Sequence, residues 1–465
     1  MQIRTIMFTL LKSIERLYEF LRFCKKVGVW FQLDFKLSLG YKFISRESQP
    51  QHERLQTVFS GGKKSLRPQV VLSVEQALTL TYATLRFKHM GWRIIKLEPT
   101  PVPGRKSRGD PNRYIGRPTA GEDRHSYFVA PNLGKEAIAI DLKQEEGQRL
   151  MKRLIQELQV DVFCTNTMPA RHTRLGIDYD TLRKEKEDLI WCSISAMGLD
   201  YPDVPGYDPI LQALCGYMDL TGHADGPPLQ CGPPLVDLKA GDEAFIQIIL
   251  ALMERQETGR GKQIDISMAQ VAVSWLHTFL PMLELGSPPS ELKRSGNEHR
   301  QFIPVNAYPT KDGFIFMAIG SDAQWHRFVQ QSMFVSLDEE RFTSNEGRRK
   351  DKQELHAGIT QITRKYTSED VSEVLAASAI PHSPITPIEN VADLPFVASS
   401  ALRTTTPDGR SIRLPPPAVL TKYLKQQNKE LPFAPAYGEH TDALLAEIGF
   451  SQDEIISLRD RGIVA

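Results

Sequence analysis

The sequence predicts an α/β protein, with a largely parallel sheet covered by helices on both faces, joined to a smaller α+β segment. Two observations lead there. Short β-branched runs alternate with helix-length amphipathic stretches from residue 70 to residue 267, the pattern of successive β-α-β units. Downstream of residue 286 the pattern changes to two extended runs flanking Lys311-Asp312-Gly313, a hairpin signature.

The elements follow in order. Val70–Val74 reads as a strand, residues 75–90 carry helical periodicity, and Gly91 stops that helix before the strand Arg93–Leu97. A second unit comprises the strand Ala137–Leu142, the amphipathic helix Glu145–Leu158 and the strand Val160–Cys164, with Leu189–Ala196 as a further strand. A long helical pattern over residues 242–256 ends at Thr258-Gly259-Arg260-Gly261, where Gly259 suits a C-cap, and the strand Gln263–Ser267 follows. The predicted division is 1–65 as a basic extension, 66–285 as the first part of a large domain, 286–391 as a small α+β domain, and 392–465 as a C-terminal segment. A linker over residues 59–68, Phe-Ser-Gly-Gly-Lys-Lys-Ser-Leu-Arg-Pro, marks the first boundary, and the Pro-rich stretch Pro381–Pro387 the third.

Charge is unevenly spread along the 465 residues. The total is +1, which offers no global field to draw nucleic acid or anionic membrane. Residues 1–67 nevertheless hold 13 Lys/Arg against 5 Asp/Glu. Residues 6–30 alternate apolar and basic groups at helical spacing, which suits a surface-lying helix or an ordinary amphipathic extension. Charges interrupt every apolar run before it reaches the roughly 18 residues of a membrane span, and the N-terminus lacks a secretory cleavage pattern. The five cysteines are scattered without a CxxC pair, so no metal or redox site is expected and a reducing cytoplasm fits best.

A series of local strings then resembles one family. Gly91-Trp92-Arg93-Ile94-Ile95-Lys96-Leu97-Glu98 is followed by Gly109-Asp110-Pro111-Asn112-Arg113, Asn132-Leu133-Gly134-Lys135 and Ile138-Ala139-Ile140-Asp141-Leu142-Lys143. Arg174-Leu175-Gly176, Gly206-Tyr207-Asp208, Gln212-Ala213, Arg294-Ser295-Gly296-Asn297 and Gly438-Glu439-His440-Thr441 complete the series. In order and spacing these resemble the class III coenzyme A transferases, also called the CaiB/BaiF family, of formyl-CoA transferase type. The resemblance implies a Rossmann-like large domain built from both chain ends, a smaller domain between them, and two protomers interlocked as a dimer.

It also implies a chemistry. Transfer of coenzyme A between acids requires a group that holds the acyl moiety while the thiol leaves and returns, and a carboxylate does this covalently. Asp237, in Pro234-Leu235-Val236-Asp237-Leu238-Lys239-Ala240-Gly241, matches the family's nucleophile. An ordinary alternative is an aspartate that caps the following helix. For the coenzyme, Lys143, Arg174, Asn166 and Thr167 match phosphate and backbone contacts, Ile140 matches an adenine contact, and Tyr207 matches a hydrogen-bond donor beside the thioester, against a buried aromatic with a satisfied hydroxyl. Acyl-CoA and a carboxylic acid are the expected substrates, with no metal. Related racemases place a histidine where Tyr207 stands, and a phenol is a poor base at neutral pH, so transfer is favoured over α-epimerisation. His299 and His440 read as loop-packing and helix-cap residues. Two departures from the family pattern, Leu80-Thr81 in place of Gly-Pro and Glu136 in place of a basic residue, leave open a non-catalytic subunit of a heteromeric transferase.

Overall fold

The computed structural model describes residues 67–465 apart from 103, 105 and 106. The basic extension, the amphipathic stretch 6–30 and Cys24 lie outside the described residues.

Six strands form the central sheet: β1 (Val70–Val74), β2 (Arg93–Glu98), β3 (Glu136–Ala139), β4 (Val162–Thr165), β5 (Ile190–Ser195) and β6 (Lys262–Ser267). Their spatial order is β3-β2-β1-β4-β5-β6, and every pairing is parallel. The order reverses between β1 and β4, which opens a crevice at the carboxyl ends of those two strands. Register explains why the strands read as near-continuous apolar runs. Ile94, Val71, Val162 and Ile190 form one row across the sheet and pack on one face, while Ile95, Leu72, Phe163 and Trp191 form the next row and pack on the other. Both faces are therefore covered.

The first face carries α1 (Thr79–Lys88), α4 (Leu235–Thr258) and α5 (Met268–Ser274); the second carries α2 (Glu145–Glu157). Between α2 and α4 lies the short α3 (Asp208–Leu214). On the second face, α6 (Thr441–Glu447) and α7 (Gln452–Asp460) also place Leu444, Leu445 and Leu458 against Ile138 and Ile140. Residues 303–380 hold a separate apolar core around Tyr308, Trp325 and Phe328, backed by an antiparallel sheet that includes the expected hairpin, Val305–Pro309 with Phe314–Ala318.

Two helix starts differ from expectation. The first helix begins at Thr79 rather than 75, because residues 75–78 form a loop in which Ala77 takes φ 59°. In the other direction, α4 begins at Leu235 rather than 242, so Asp237 lies within its first turn and is not its cap. Gly259 ends α4 as expected, with φ 71° and its N–H on the Arg255 carbonyl.

Beneath the loop after β1 lies a buried ionic cluster. Lys96 reaches Asp110 at 2.9 Å and the Glu75 carboxylate at 3.8 Å, Lys135 reaches Glu75 at 2.7 Å, and Arg113 reaches Glu98 at 2.6 Å. Arg113 also lies over the Phe128 ring. Burial drives the Lys135 ammonium down to about 8 despite the opposing pull of Glu75. Every member is held by oppositely charged or hydrogen-bonding neighbours, the condition under which buried charge is tolerated. Removal of one cation strands carboxylates in the interior. Lys96→Met is therefore predicted to destabilise the fold by roughly 3–5 kcal/mol, read as an earlier midpoint in chemical denaturation; an unmoved midpoint would show the cluster to be energetically neutral.

Candidate active site

The site is built on the start of α4. Pro233 and Pro234 precede the helix, and Pro234 at the N-cap offers no side-chain acceptor. The acceptor comes from elsewhere in the chain. Asp208, the first residue of α3, is buried, and its Oδ2 accepts the N–H groups of Val236 at 2.7 Å and Asp237 at 3.2 Å. Its Oδ1 accepts from Gln212 Nε2 at 2.6 Å, one turn along the same helix, and Gln212 Oε1 accepts the Cys231 N–H at 3.0 Å. Asp208, itself held by Gln212, thus caps α4 from outside.

The Asp237 side chain then projects toward α1, where the Thr79 hydroxyl donates to Oδ1 at 2.5 Å. Burial is the largest influence on this carboxyl and raises it, the Thr79 bond opposes that, and the Asp208 charge raises it further; the outcome is a carboxyl pushed up to about 6.

Asp237 faces a cavity of about 140 Å³ at the carboxyl ends of β1, β4 and β5, where the strand order reverses. The loop after β1 supplies Gln76, Ala77 and Thr79; the segment after β4 supplies Asn166; Ser195, Gly206 and Tyr207 close the other side. Asn166 clamps the backbone of Gln76, its Oδ1 accepting the Gln76 N–H at 3.0 Å and its Nδ2 donating to the Gln76 carbonyl at 2.8 Å. The Ala77 N–H donates to Asp110 at 3.1 Å, which ties the loop to the buried ionic cluster. No Lys, Arg or His is among the described residues that line this cavity.

Of the residues singled out from the sequence, Asp237, Asn166 and Tyr207 meet at this cavity. Tyr207 is 70% exposed, so it is not the buried aromatic considered as its alternative. Thr167 follows Asn166, and its carbonyl is bonded to His172 Nε2 at 2.8 Å. Lys143, in the turn before α2, and Arg174, in the short helix His172–Leu175, are exposed and are linked by Gln148, whose amide donates to the carbonyls of Leu142 and Arg174. Ile140 lies wholly in the core beside Val464 and presents no side-chain surface.

Glu136 forms a two-pronged pair with Arg93 at 2.8 Å, and Leu80 and Thr81 are fully buried in α1; none of the three borders the cavity. His440 occupies the N-cap of α6 and accepts the Ala137 N–H, and His299 accepts the N–H groups of Gln301 and Phe302 within its own loop. Two contacts of this site are not predicted from the sequence: the Thr79 bond to Asp237 and the Asp208 cap on α4. A threonine at a helix start is too ordinary to mark Thr79. The proline pair before α4, which leaves that helix without a cap of its own, was the available pointer to Asp208.

The raised carboxyl has a consequence for stability. A folded-state value near 6 against about 3.9 in an unfolded chain means the native state holds this proton more tightly, so ionisation disfavours folding as pH rises through that window. Asp237→Asn removes the titration. The variant should match wild type near pH 4 and become more stable by about 2 kcal/mol above pH 7, measured by denaturation at both pH values; equal stability at both would place the carboxyl at an ordinary value.

The sequence profile described as CoA-transferase family III matches residues 66–441. The chain is 32% identical over 392 residues to a succinate–glutarate CoA-transferase of Agrobacterium fabrum, covering 81% of this chain and 94% of that protein. It is 28% identical over 410 residues to the human succinyl-CoA:glutarate CoA-transferase, covering 86% and 90%, and 31% identical over 338 residues to an acetyl-CoA:oxalate CoA-transferase of Acetobacter aceti, covering 71% and 83%. Among solved structures, a CaiB/BaiF family protein from Brucella suis superposes with a TM-score of 0.70 at 28% identity, covering 82% of this chain and 98% of that one.

Proposed function

The chain belongs to CoA-transferase family III, and from that membership we propose that it moves coenzyme A from an acyl-CoA to a carboxylic acid through covalent intermediates on Asp237. The observation that carries this reading is the placement of Asp237 on the cavity at the sheet's switch point, with one oxygen held by Thr79 and the other without a hydrogen-bond partner among the described residues.

An Asp237 oxygen attacks the thioester carbonyl and the coenzyme thiolate departs with its electron pair, leaving a mixed anhydride. The thiolate returns to Cγ of Asp237, the donor acid leaves as a carboxylate, and an aspartyl thioester remains. The acceptor carboxylate attacks the same carbon and releases the thiolate, which attacks the acceptor's carbonyl and frees Asp237. Tyr207 borders the cavity and is proposed to donate to the thioester oxygen. Asn166 contributes by holding the loop that leads into Thr79, and Thr167, next in the chain, is proposed to meet the coenzyme's backbone. Lys143, in the turn before α2, and Arg174, in the short helix His172–Leu175, are proposed to meet the coenzyme's phosphates, and any contact from Ile140 with the adenine would come from its backbone.

An α-epimerase needs a second base across from the carboxylate, and the described residues of the cavity include no histidine or lysine to serve. The departures at Leu80-Thr81 and Glu136 lie off the cavity, which supports a catalytic chain rather than a silent subunit. We further propose the family's interlocked dimer, with the exposed apolar side chains Leu250, Met253 and Trp275 of α4 and its neighbour covered by the second protomer, and the division of domains at residues 66, 286 and 392. Two of the named relatives are succinate–glutarate CoA-transferases, so succinyl-CoA with glutarate is the first pair to assay.

Asp237→Asn should lower transfer by several orders of magnitude, and wild type treated with succinyl-CoA and then hydroxylamine should be modified at Asp237. Transfer by the Asn variant near the wild-type rate, or an adduct mapped to another acid, would remove Asp237 as nucleophile. Lys143→Ala and Arg174→Ala should raise KM for the acyl-CoA more than they lower kcat, because phosphate contacts remote from the carbonyl contribute uniform binding; unchanged KM in both would place the coenzyme elsewhere.

A further inference from the structure

We propose that Thr79 is a positioning residue for the transfer reaction: its hydroxyl pins Oδ1 of Asp237, leaves Oδ2 to attack, and stays on Oδ1 as that atom gathers charge. The proposal rests on the reading of Asp237 as the nucleophile.

The geometry is specific to this hydroxyl. Three threonines lie on α1, and the other two turn away from α4: Thr81 donates to the carbonyls of Ala77 and Leu78, and Thr84 donates to Glu75 and to carbonyls of its own helix and accepts from Lys135. Thr79 alone reaches across to α4, at 2.5 Å, and is almost fully buried. A β-branched side chain in a helix has few rotamers open to it, so the donor is fixed before any substrate arrives.

The backbone beneath it is fixed from three sides. Gly241 lies one turn beyond Asp237 on α4, and a Cβ there would meet the Thr79 carbonyl at 2.6 Å and the Tyr82 ring at 2.9 Å. The two helices therefore touch backbone to backbone, and only glycine permits it. Upstream, Asn166 clamps Gln76, and Asp110 holds Ala77 in its left-handed conformation. These contacts converge on one residue whose side chain does nothing for its own helix.

The chemistry uses the bond twice. In the resting enzyme the two carboxylate oxygens become inequivalent, and the donor counters the burial and the Asp208 charge that disfavour the anion. When the coenzyme thiolate attacks Cγ of the anhydride, the Cγ–Oδ1 π pair moves onto Oδ1, and the donor is already aligned with that oxygen. Collapse expels the donor carboxylate and restores the carbonyl.

The test compares full-length wild type with Thr79→Val, Thr79→Ala, Thr79→Ser and Gly241→Ala, using succinyl-CoA and glutarate. Val and Ala should lower kcat by roughly 100-fold, leave KM for succinyl-CoA within a few-fold, and move the acid limb of the kcat/KM profile upward by roughly one pH unit. Ser should recover most of both, and Gly241→Ala should reproduce the Val phenotype in part. Should Val fail to fold, the smaller Ala carries the same comparison. A wild-type limb and kcat in Val or Ala, or a Ser variant as impaired as Val, overturns the role of Thr79 while leaving Asp237 in place, provided wild type still forms its hydroxylamine-sensitive adduct there. Absence of that adduct overturns the nucleophile reading and this proposal with it.

Discussion

The contact between α1 and α4 at Gly241 is the constraint on which the site depends. Helices with side chains between them sit 8–10 Å apart, a distance that would hold a side chain on one away from a short side chain on the other. Because residue 241 has no Cβ, the Thr79 carbonyl closes on α4, and the Thr79 hydroxyl comes within reach of Asp237 one turn earlier. Both helices pack on the same face of the sheet through Leu80, Ala83, Ala240 and Ala244, so small residues near the crossing serve the approach as well as the core. The bond between Thr79 and Asp237 is thus a product of helix packing.

A second layer of constraint is electrostatic. The loop that leads into α1 cannot satisfy its own backbone, because the turn at Ala77 breaks helical pairing. Asn166 and Asp110 take over those bonds, and Asp110 is itself held by Lys96. A neutral acceptor would have made the bond to Ala77 without the desolvation that a buried carboxylate brings. The ionic arrangement instead links β1, β2 and the loop after β2 through residues that must all be in register, so the loop into α1 has one geometry compatible with a satisfied interior.

How much of this was legible follows from where each signal resides. The six strands were readable to within a few residues because burial on both faces leaves β-branched and apolar runs in the sequence, and Gly91 and Gly259 stand where helices end. The start of α4 was not, because Pro233-Pro234 looks like a break and its cap comes from Asp208. Asp237 was reached through motif resemblance, since nothing local separates it from a capping aspartate. Thr79 was invisible for a different reason: its partner is 158 residues away, and only the fold sets them side by side. Ile140 shows the converse, a motif position whose side chain the sheet claims for its core.

The balance of forces on Asp237 bears on why its carboxyl should be raised and yet restrained. In the proposed double exchange, each anhydride joins Asp237 to a substrate acid, and the thiolate chooses between two carbonyls. The better leaving group is the less basic carboxylate. With Asp237 near 6 and ordinary carboxylic acids near ~4, attack at Cγ expels the substrate acid and drives the donor half forward. The acceptor half needs the opposite choice, expulsion of Asp237 itself, and a still more basic aspartate would stall there. Burial and the neighbouring Asp208 push the carboxyl in one direction, and the Thr79 donor pulls it back. A reaction that forms an anhydride of Asp237 with the donor acid and later breaks one with the acceptor is served by that opposition, since its nucleophile in one half is its leaving group in the other.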